Sequence, residues 1–348
     1  MGSRRAREKQ GLPEGGGREA RCLPSSWGVD RVAGAKPLGT AGEAVEPACV
    51  TSELRNRLLF GAFLVSMVGA LVAVDVLSES RWGILALGLA AVLLGAREFA
   101  RLARVHAASV RLAPMVVVSL GLVAEAHLHP GGALQALRPE AAARLAEVPL
   151  VPLLIGGGLL WSTLSQMASR NPTERFFANV GGSLFGIIYL SLCFNLLERL
   201  AILGSPGHAE RGMQLVACFL VAVKCGDIAA FFGGKAFGRH KMCPAISPGK
   251  TWEGFACSFA GSIGGTMALC AVFSASGISP FAGWWQPAVW GLILGPLGAA
   301  GDLAESCMKR EAAMKDSGRG APGFGGYLDL LDAIILAAPV AYLLALAL

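Results

Sequence analysis

The sequence predicts an all-α fold: a polytopic integral membrane protein with about nine transmembrane helices and a cytoplasmic N-terminus. Three observations carry this expectation. The chain is 54% hydrophobic and only 16% charged, with a mean hydropathy of +0.55, whereas soluble domains carry roughly 25% charged residues. Its apolar residues fall in blocks of roughly 20, the length that crosses a bilayer as a helix and satisfies its own backbone polar groups there. Its bases are also shared unevenly between alternate loops, which sets the orientation.

In chain order, residues 1–50 are polar and rich in Gly and Arg. They show no signal-peptide pattern and read as a disordered, basic cytoplasmic tail. Spans are expected at roughly 57–78, 82–96, 112–128, 149–168, 177–197, 213–234, 254–275, 285–304 and 329–348. Residues 51–210 then hold the N-terminal transmembrane helices, and 211–348 form a transmembrane region that carries the polar motifs. With the N-terminus inside, the inner loops hold Arg97, Arg101, Arg104, Arg111, Arg170, Arg175, Lys235, Arg239, Lys241, Lys250, Lys309, Arg310, Lys315 and Arg319. The outer loops hold only Arg81, Arg138, Arg144, Arg199 and Arg211. The net charge of +6 follows from this topology and from attraction to anionic lipid, so no nucleic-acid partner is implied. The two most polar loops, 235–253 and 305–328, face the cytoplasm. Gly156–Gly158 and Gly181–Gly182 read as packing or kink positions. No two cysteines form a CxxC pair, and they read as small hydrophobes. His127 and His129 read as loop-surface residues, because a zinc site needs three or four ligands.

Chemistry concentrates in two polar stretches. Residues 301–332 read GDLAESCMKREAAMKDSGRGAPGFGGYLDLLD between two strongly apolar segments. Asp302, Glu305, Asp329 and Asp332 thus lie at or near the ends of apolar helices, where ionisable groups are costly and mark function unless they snorkel to water. Asp302, Glu305, Ser306 and Lys309 share one helix face at i, i+3, i+4 and i+7. Asp329 and Asp332 are likewise i, i+3. Two acidic helix ends suit one Mg²⁺, which takes carboxylate, phosphate and water oxygens. At a helix N-terminus, Asp329 and Asp332 equally suit capping. Asp302, at the far end of its helix, has no such reason to be there.

The second stretch, Asp227–Gly254, reads DIAAFFGGKAFGRHKMCPAISPGKTWEG. Asp227 lies inside a span three residues after Lys224. It is either half of a self-neutralising pair or a functional charge. FFGGKAFGRHK offers glycines and bases that suit a phosphate or a plain inner loop. In SPGKTWEG, Ser247, Lys250 and Thr251 lead into a helix start that points N–H groups at an anion. It is not a Walker A loop: that spacing needs Gly at 244, where Pro244 stands, and no preceding strand is evident.

These residues resemble the phosphatidate cytidylyltransferases (CDP-diacylglycerol synthases). That family ends in S-x-x-K-R-x4-K-D-x-G…P-x-H-G-G-x-x-D-R-x-D. Here the pattern is met by Ser306, Lys309, Arg310, Lys315, Asp316, Gly318, Pro322, Gly325, Gly326, Asp329 and Asp332. The family's ISPxKTxEG element matches Ile246–Gly254, and its D-x-x-A-[YF]-x-x-G element matches Asp227, Ala230, Phe231 and Gly234. A weaker GxxEF match lies at Gly95–Phe99. Phe324 and Leu330 depart from the family's His and Arg. The resemblance implies transfer of the cytidylyl group of CTP to phosphatidate, giving CDP-diacylglycerol and pyrophosphate, at the cytoplasmic face of the inner cell membrane by a homodimer. It implies Mg²⁺ on Asp302, Asp329 and Asp332, with a second, monovalent cation or an orienting role for Asp227. Catalytic roles fall to Asp227, Lys250, Lys309, Arg310, Lys315 and Asp316. Substrate contacts fall to Ser247, Thr251, Glu253, Gly254, Ser306, Gly325 and Gly326. The rival readings are a CTP-dependent transferase for another membrane lipid acceptor, and an inactive relative or transporter.

Overall fold

Apolar helices dominate the chain because a helix leaves no backbone polar group for lipid to solvate. The computed structural model describes residues 82–104, 110–128, 147–203, 210–318, 320 and 325–348, with isolated positions at 59–75, 140 and 143. All lie in one unit, Pro47–Leu348. The helices with defined bounds are α1 (Trp82–Arg104), α2 (Leu112–Leu128), α3 (Leu150–Met167), α4 (Phe176–Ile202), α5 (Glu210–Phe237), α6 (Trp252–Ala275), α7 (Gln286–Glu311) and α8 (Leu328–Ala347). Among the described residues, 7 helices are long and apolar enough to cross a membrane; α2 is shorter. Every span expected from residue 82 onward falls on one of these helices. The span expected at 57–78 lies mostly outside the described residues.

The helices outrun their apolar blocks. α1 continues to Arg104 and α7 to Glu311, and their last turns carry Arg101, Arg104, Lys309 and Arg310. Cations there offset the negative end of the helix dipole. At its other end, α1 is capped from a distance: the buried Asp75 carboxylate accepts from Gly83 N at 2.8 Å and Ile84 N at 2.7 Å.

Two expectations need correction. The chain is not wholly helical near the GKT segment. β1 (Lys241–Cys243) and β2 (Ser247–Thr251) form an antiparallel hairpin, Lys241 opposite Thr251 and Cys243 opposite Ser247. Its strands are so short that periodicity could not reveal them. Lys250 and Thr251 sit in a strand running straight into α6. His127 is not on a loop surface either. It is buried in the last turn of α2, with Nδ1 3.1 Å from Glu198 Oε2. Nearby, Arg199 donates to Glu125 Oε1 at 2.7 Å and Asn195 donates to Glu125 Oε2 at 2.9 Å. These partners sit seventy residues away in sequence, on α4, which is why a local reading missed them.

Small residues bring α5, α6 and α7 close together. A Cβ added at Gly254 of α6 would meet Ala230 O of α5 at 2.6 Å, and one at Gly261 would meet Cys225 O at 2.6 Å. One at Gly291 of α7 would meet Ser262 O of α6 at 2.6 Å. Such close approach is how membrane helices gain dispersion energy without a hydrophobic drive. The buried hydroxyls of α6 are satisfied within the helix: Ser262 donates to Ser258 O and Thr266 to Ser262 O. This three-helix packing places the C-terminal end of α7 beside the hairpin and the start of α6.

Candidate active site

Three carboxylates converge where α7 ends and α8 begins. Asp302 and Glu305 lie one turn apart on α7, and Asp332 lies in the second turn of α8. One oxygen from each lies within 4.8 Å of the other two. α8 reaches this close because α7 has Gly301 at the crossing, where a Cβ would meet Asp332 O at 2.4 Å. The three differ in surroundings. The Asp302 side chain is 42% exposed, whereas that of Glu305 is 0% exposed. Lys250, reaching from β2, holds Asp302 Oδ2 at 2.8 Å and donates to Ala299 O at 2.9 Å. Glu305 Oε1 is buried without a hydrogen-bond partner. An orphaned buried carboxylate oxygen beside two more carboxylates fits a divalent cation, because an unmatched buried anion is otherwise costly.

The expected pairing of Asp302 with Asp329 is not the arrangement found. Asp329 instead organises the loop that joins α7 to α8. Its Oδ1 takes Lys309 Nζ at 2.5 Å. Its Oδ2 accepts from Ser317 N at 3.1 Å, Ser317 Oγ at 2.9 Å and Gly326 N at 2.6 Å. These donors fill the roughly four acceptor positions of a carboxylate. Lys309 also differs from expectation. It is clamped between Asp329 and Glu305 Oε2, 2.6 Å away, and its side chain is 10% exposed. It therefore neutralises two carboxylates and is not open to a phosphate.

Glu98 of α1 is the residue that sequence reasoning missed. It lay inside the weak GxxEF match and received no role. Its buried Oε2 accepts from Ser317 Oγ at 3.0 Å and from Leu328 N at 2.9 Å, the first helical amide of α8. The Ser317 hydroxyl has one proton, so it serves Glu98 and Asp329 one at a time. The available signal was an acid inside an apolar helix, which marks either function or a specific partner. Glu305 was seen on the right helix face but not counted as a ligand.

The other expected residues divide by role. Thr251 is the N-cap of α6 and accepts from Gly254 N at 3.1 Å. Gly254 serves the α5–α6 contact described above. Glu253 accepts from Arg239 N at 3.1 Å and His240 N at 3.2 Å, and lies 2.6 Å from His240 Nδ1, so it ties α6 to the hairpin. Asp227 pairs with Lys224 at 3.7 Å on α5. Arg310 donates to Ile246 O at 3.0 Å, bracing the hairpin against α7. Gly325 has φ +97°, a backbone region that L side chains rarely adopt, and a Cβ there would sit 2.8 Å from Asp329 Oδ2. Ser247 is half-buried in β2, and Ser306 is buried on α7. Lys315 and Asp316 are exposed at the rim of a cavity of about 590 Å³ between α1 and the α7–α8 loop. Arg319, Pro322 and Phe324 lie outside the described residues.

A family model for the cytidylyltransferase family matches residues 55–348. The chain belongs to the cytidylyltransferase family. The match takes in every helix from α1 to α8. This cytidylyltransferase-family chain is 30% identical over 240 residues to a phosphatidate cytidylyltransferase of Mycobacterium bovis, covering 59% of this chain and 74% of that protein. One of the same name from Brucella suis is 39% identical over 137 residues, covering 39% of this chain and 48% of that protein. Another, from Chlamydia pneumoniae, is 35% identical over 192 residues, covering 53% of this chain and 60% of that protein. The family match spans the hairpin, α7 and α8, the elements that bring the three carboxylates and Lys250 together.

Proposed function

We propose that this chain is a phosphatidate cytidylyltransferase that transfers the cytidylyl group of CTP to phosphatidate. The observation that carries the proposal is the convergence of Asp302, Glu305 and Asp332 beside Lys250, with an unsatisfied buried oxygen on Glu305. The names of its relatives and its family membership support the same reaction. A phosphate oxygen of phosphatidate forms a bond to the α-phosphorus of CTP. The bond between that phosphorus and the bridging oxygen to the β-phosphorus breaks, and pyrophosphate leaves. Both partners are anions, so the site must offset charge and hold geometry. Asp302, Glu305 and Asp332 would hold Mg²⁺, which when bound neutralises phosphate oxygens as charge develops. Lys250, paired with the open Asp302, stands where a phosphate group can reach it. Lys309 keeps Glu305 and Asp329 neutralised without touching substrate. No side-chain nucleophile is needed, because the lipid brings its own.

The cytoplasmic orientation rests on the excess of bases at the ends of α1, α5 and α7, which the positive-inside rule places inward. Leu330 stands where the family pattern carries an Arg, next in sequence to Asp329; Lys309, which that pattern also carries, pairs with the Asp329 carboxylate here. The test is purified protein with labelled CTP, Mg²⁺ and phosphatidate. The labelled lipid should form, should vanish on chelation of Mg²⁺, and should be lost in Asp302→Asn. Failure of the wild type to make any lipid product would remove the enzyme reading. A better yield with an isoprenoid phosphate or alcohol would move it to another lipid acceptor.

A further inference from the structure

We propose that the cavity between α1 and the α7–α8 loop is where the phosphate of the lipid acceptor docks, with Arg97 and Arg101 as its ligands. The inference rests on the cytidylyltransferase reading and assigns a place to one of its two substrates. The cavity, about 590 Å³, has Arg97 and Arg101 on one wall, Lys315 and the exposed Asp316 on the other, and Tyr327 and Gly318 between them, so three bases face one open acid. Arg97 and Arg101 are exposed and one turn apart, so their side chains project to the same side of the helix. Like charges at that spacing repel. Among the described residues, no carboxylate forms an ion pair with Arg97, Arg101 or Lys315. The one buried carboxylate in the wall, Glu98, is turned to Ser317 and the Leu328 amide. Two guanidinium forks and an ammonium facing one hollow suit a phosphate monoester.

The surface of α1 decides which phosphate. Above the arginines, the exposed residues of the same helix are Trp82, Ala86, Ala90, Leu93 and Leu94, and Leu94 itself enters the cavity wall. One face of a membrane helix thus passes from apolar to cationic within one turn. That order matches a phospholipid lying along the helix, acyl chains beside the leucines and head group at the arginines. The triphosphate of CTP has no apolar part for such a face. A chain of hydrogen bonds and ion pairs joins the cavity wall to the carboxylate trio. Glu98 and Asp329 share Ser317, and Asp329 shares Lys309 with Glu305.

The experiment compares Arg97→Ala, Arg101→Ala and Arg104→Ala in the full-length protein. Arg104 lies on the same helix end but does not line the cavity. Loss of a charge-assisted hydrogen bond to phosphate predicts a KM for phosphatidate raised about tenfold in each of the first two, with KM for CTP within about twofold of wild type. Arg104→Ala should leave both constants unchanged. Binding of short-chain phosphatidate and of diacylglycerol, without CTP, is measured on the same detergent-solubilised proteins. Phosphatidate should bind wild type more tightly than diacylglycerol, and the Arg97 and Arg101 variants should erase that difference. An unchanged phosphatidate KM, or an equal effect of Arg104→Ala, overturns the inference. So does a rise in KM for CTP alone, which would give the cavity to the nucleotide. If wild type makes no lipid product, the reaction falls, and the binding arm still decides for or against the phosphate site.

Discussion

Lys309 offers the sharpest separation of a structural cation from a substrate-binding one. Its ammonium lies 2.6 Å from Glu305 Oε2 and 2.5 Å from Asp329 Oδ1. Those carboxylate side chains are 0% and 10% exposed. Lys309→Met removes the cation, keeps most of the volume, and leaves two buried anions facing each other. Breaking a buried pair by deleting one partner costs about 3–5 kcal/mol. At roughly 2 °C per kcal/mol for a chain of this size, the melting temperature in detergent should fall by roughly 6–10 °C. The penalty arises from stranded charge, so neutralising the partners should relieve it. The triple variant Lys309→Met, Glu305→Gln, Asp329→Asn should recover most of the loss. The assay is thermal unfolding of wild type, single and triple variants in one detergent. A single variant that melts with wild type would refute the clamp and return Lys309 to the pool of phosphate ligands. A triple variant that melts below the single would refute the charge argument.

Three further outcomes follow from the same geometry. In Gly318→Ala the new Cβ would meet Glu98 Oε1 at 2.1 Å; overpacking of this kind costs about 1–3 kcal/mol, and product formation should fall more steeply than melting temperature, because the loop behind Asp329 must shift. Thr251→Val removes the N-cap of α6 and should cost about 1 kcal/mol, read as a small drop in melting temperature. Arg199→Met removes the guanidinium paired with the buried Glu125; it should destabilise by up to about 3 kcal/mol, and Glu125→Gln in the same chain should restore part of that, with no change in KM for either substrate.

The sequence made the helices legible because bilayer thickness imposes a length that hydropathy reveals. From α1 to α8 each expected span lies on a helix, even the short α2. The residues of the site were legible for the same reason: Asp302, Glu305 and Asp332 are acids at the ends of apolar segments. Their partners were not. Spacing along α7 puts Glu305 and Lys309 on one face, but nothing local tells that Lys309 turns to Asp329 rather than to solvent. Nothing local gives the reach of Lys250 to Asp302, fifty-two positions away, or of Glu98 to Ser317 across more than two hundred. Those contacts exist because α5, α6 and α7 pack through glycine, which sets where the hairpin lies. The hairpin itself was hidden by its length.

The two acid sets near the α7–α8 loop divide the work by how completely they are satisfied. Asp329 and Glu98 accept from backbone and hydroxyl donors of the loop, and Lys309 completes Asp329. A loop rich in Gly has little apolar surface to bury, so hydrogen bonds to buried acids are the means available to fix it. Asp302, Glu305 and Asp332 are left with fewer donors: Asp302 is open beside Lys250, and Glu305 keeps one oxygen without a partner. Incomplete satisfaction is costly in a finished fold, and that cost is the ground for proposing a cation there. The same reasoning separates the bases. Lys309 is consumed by the fold, Arg310 braces the hairpin and Lys250 pairs with the open Asp302, whereas Lys315, Arg97 and Arg101 keep charge available at an open edge. Sequence alone groups all of these residues as charges near membrane ends; only their partners separate those that hold the structure from those left at an open edge.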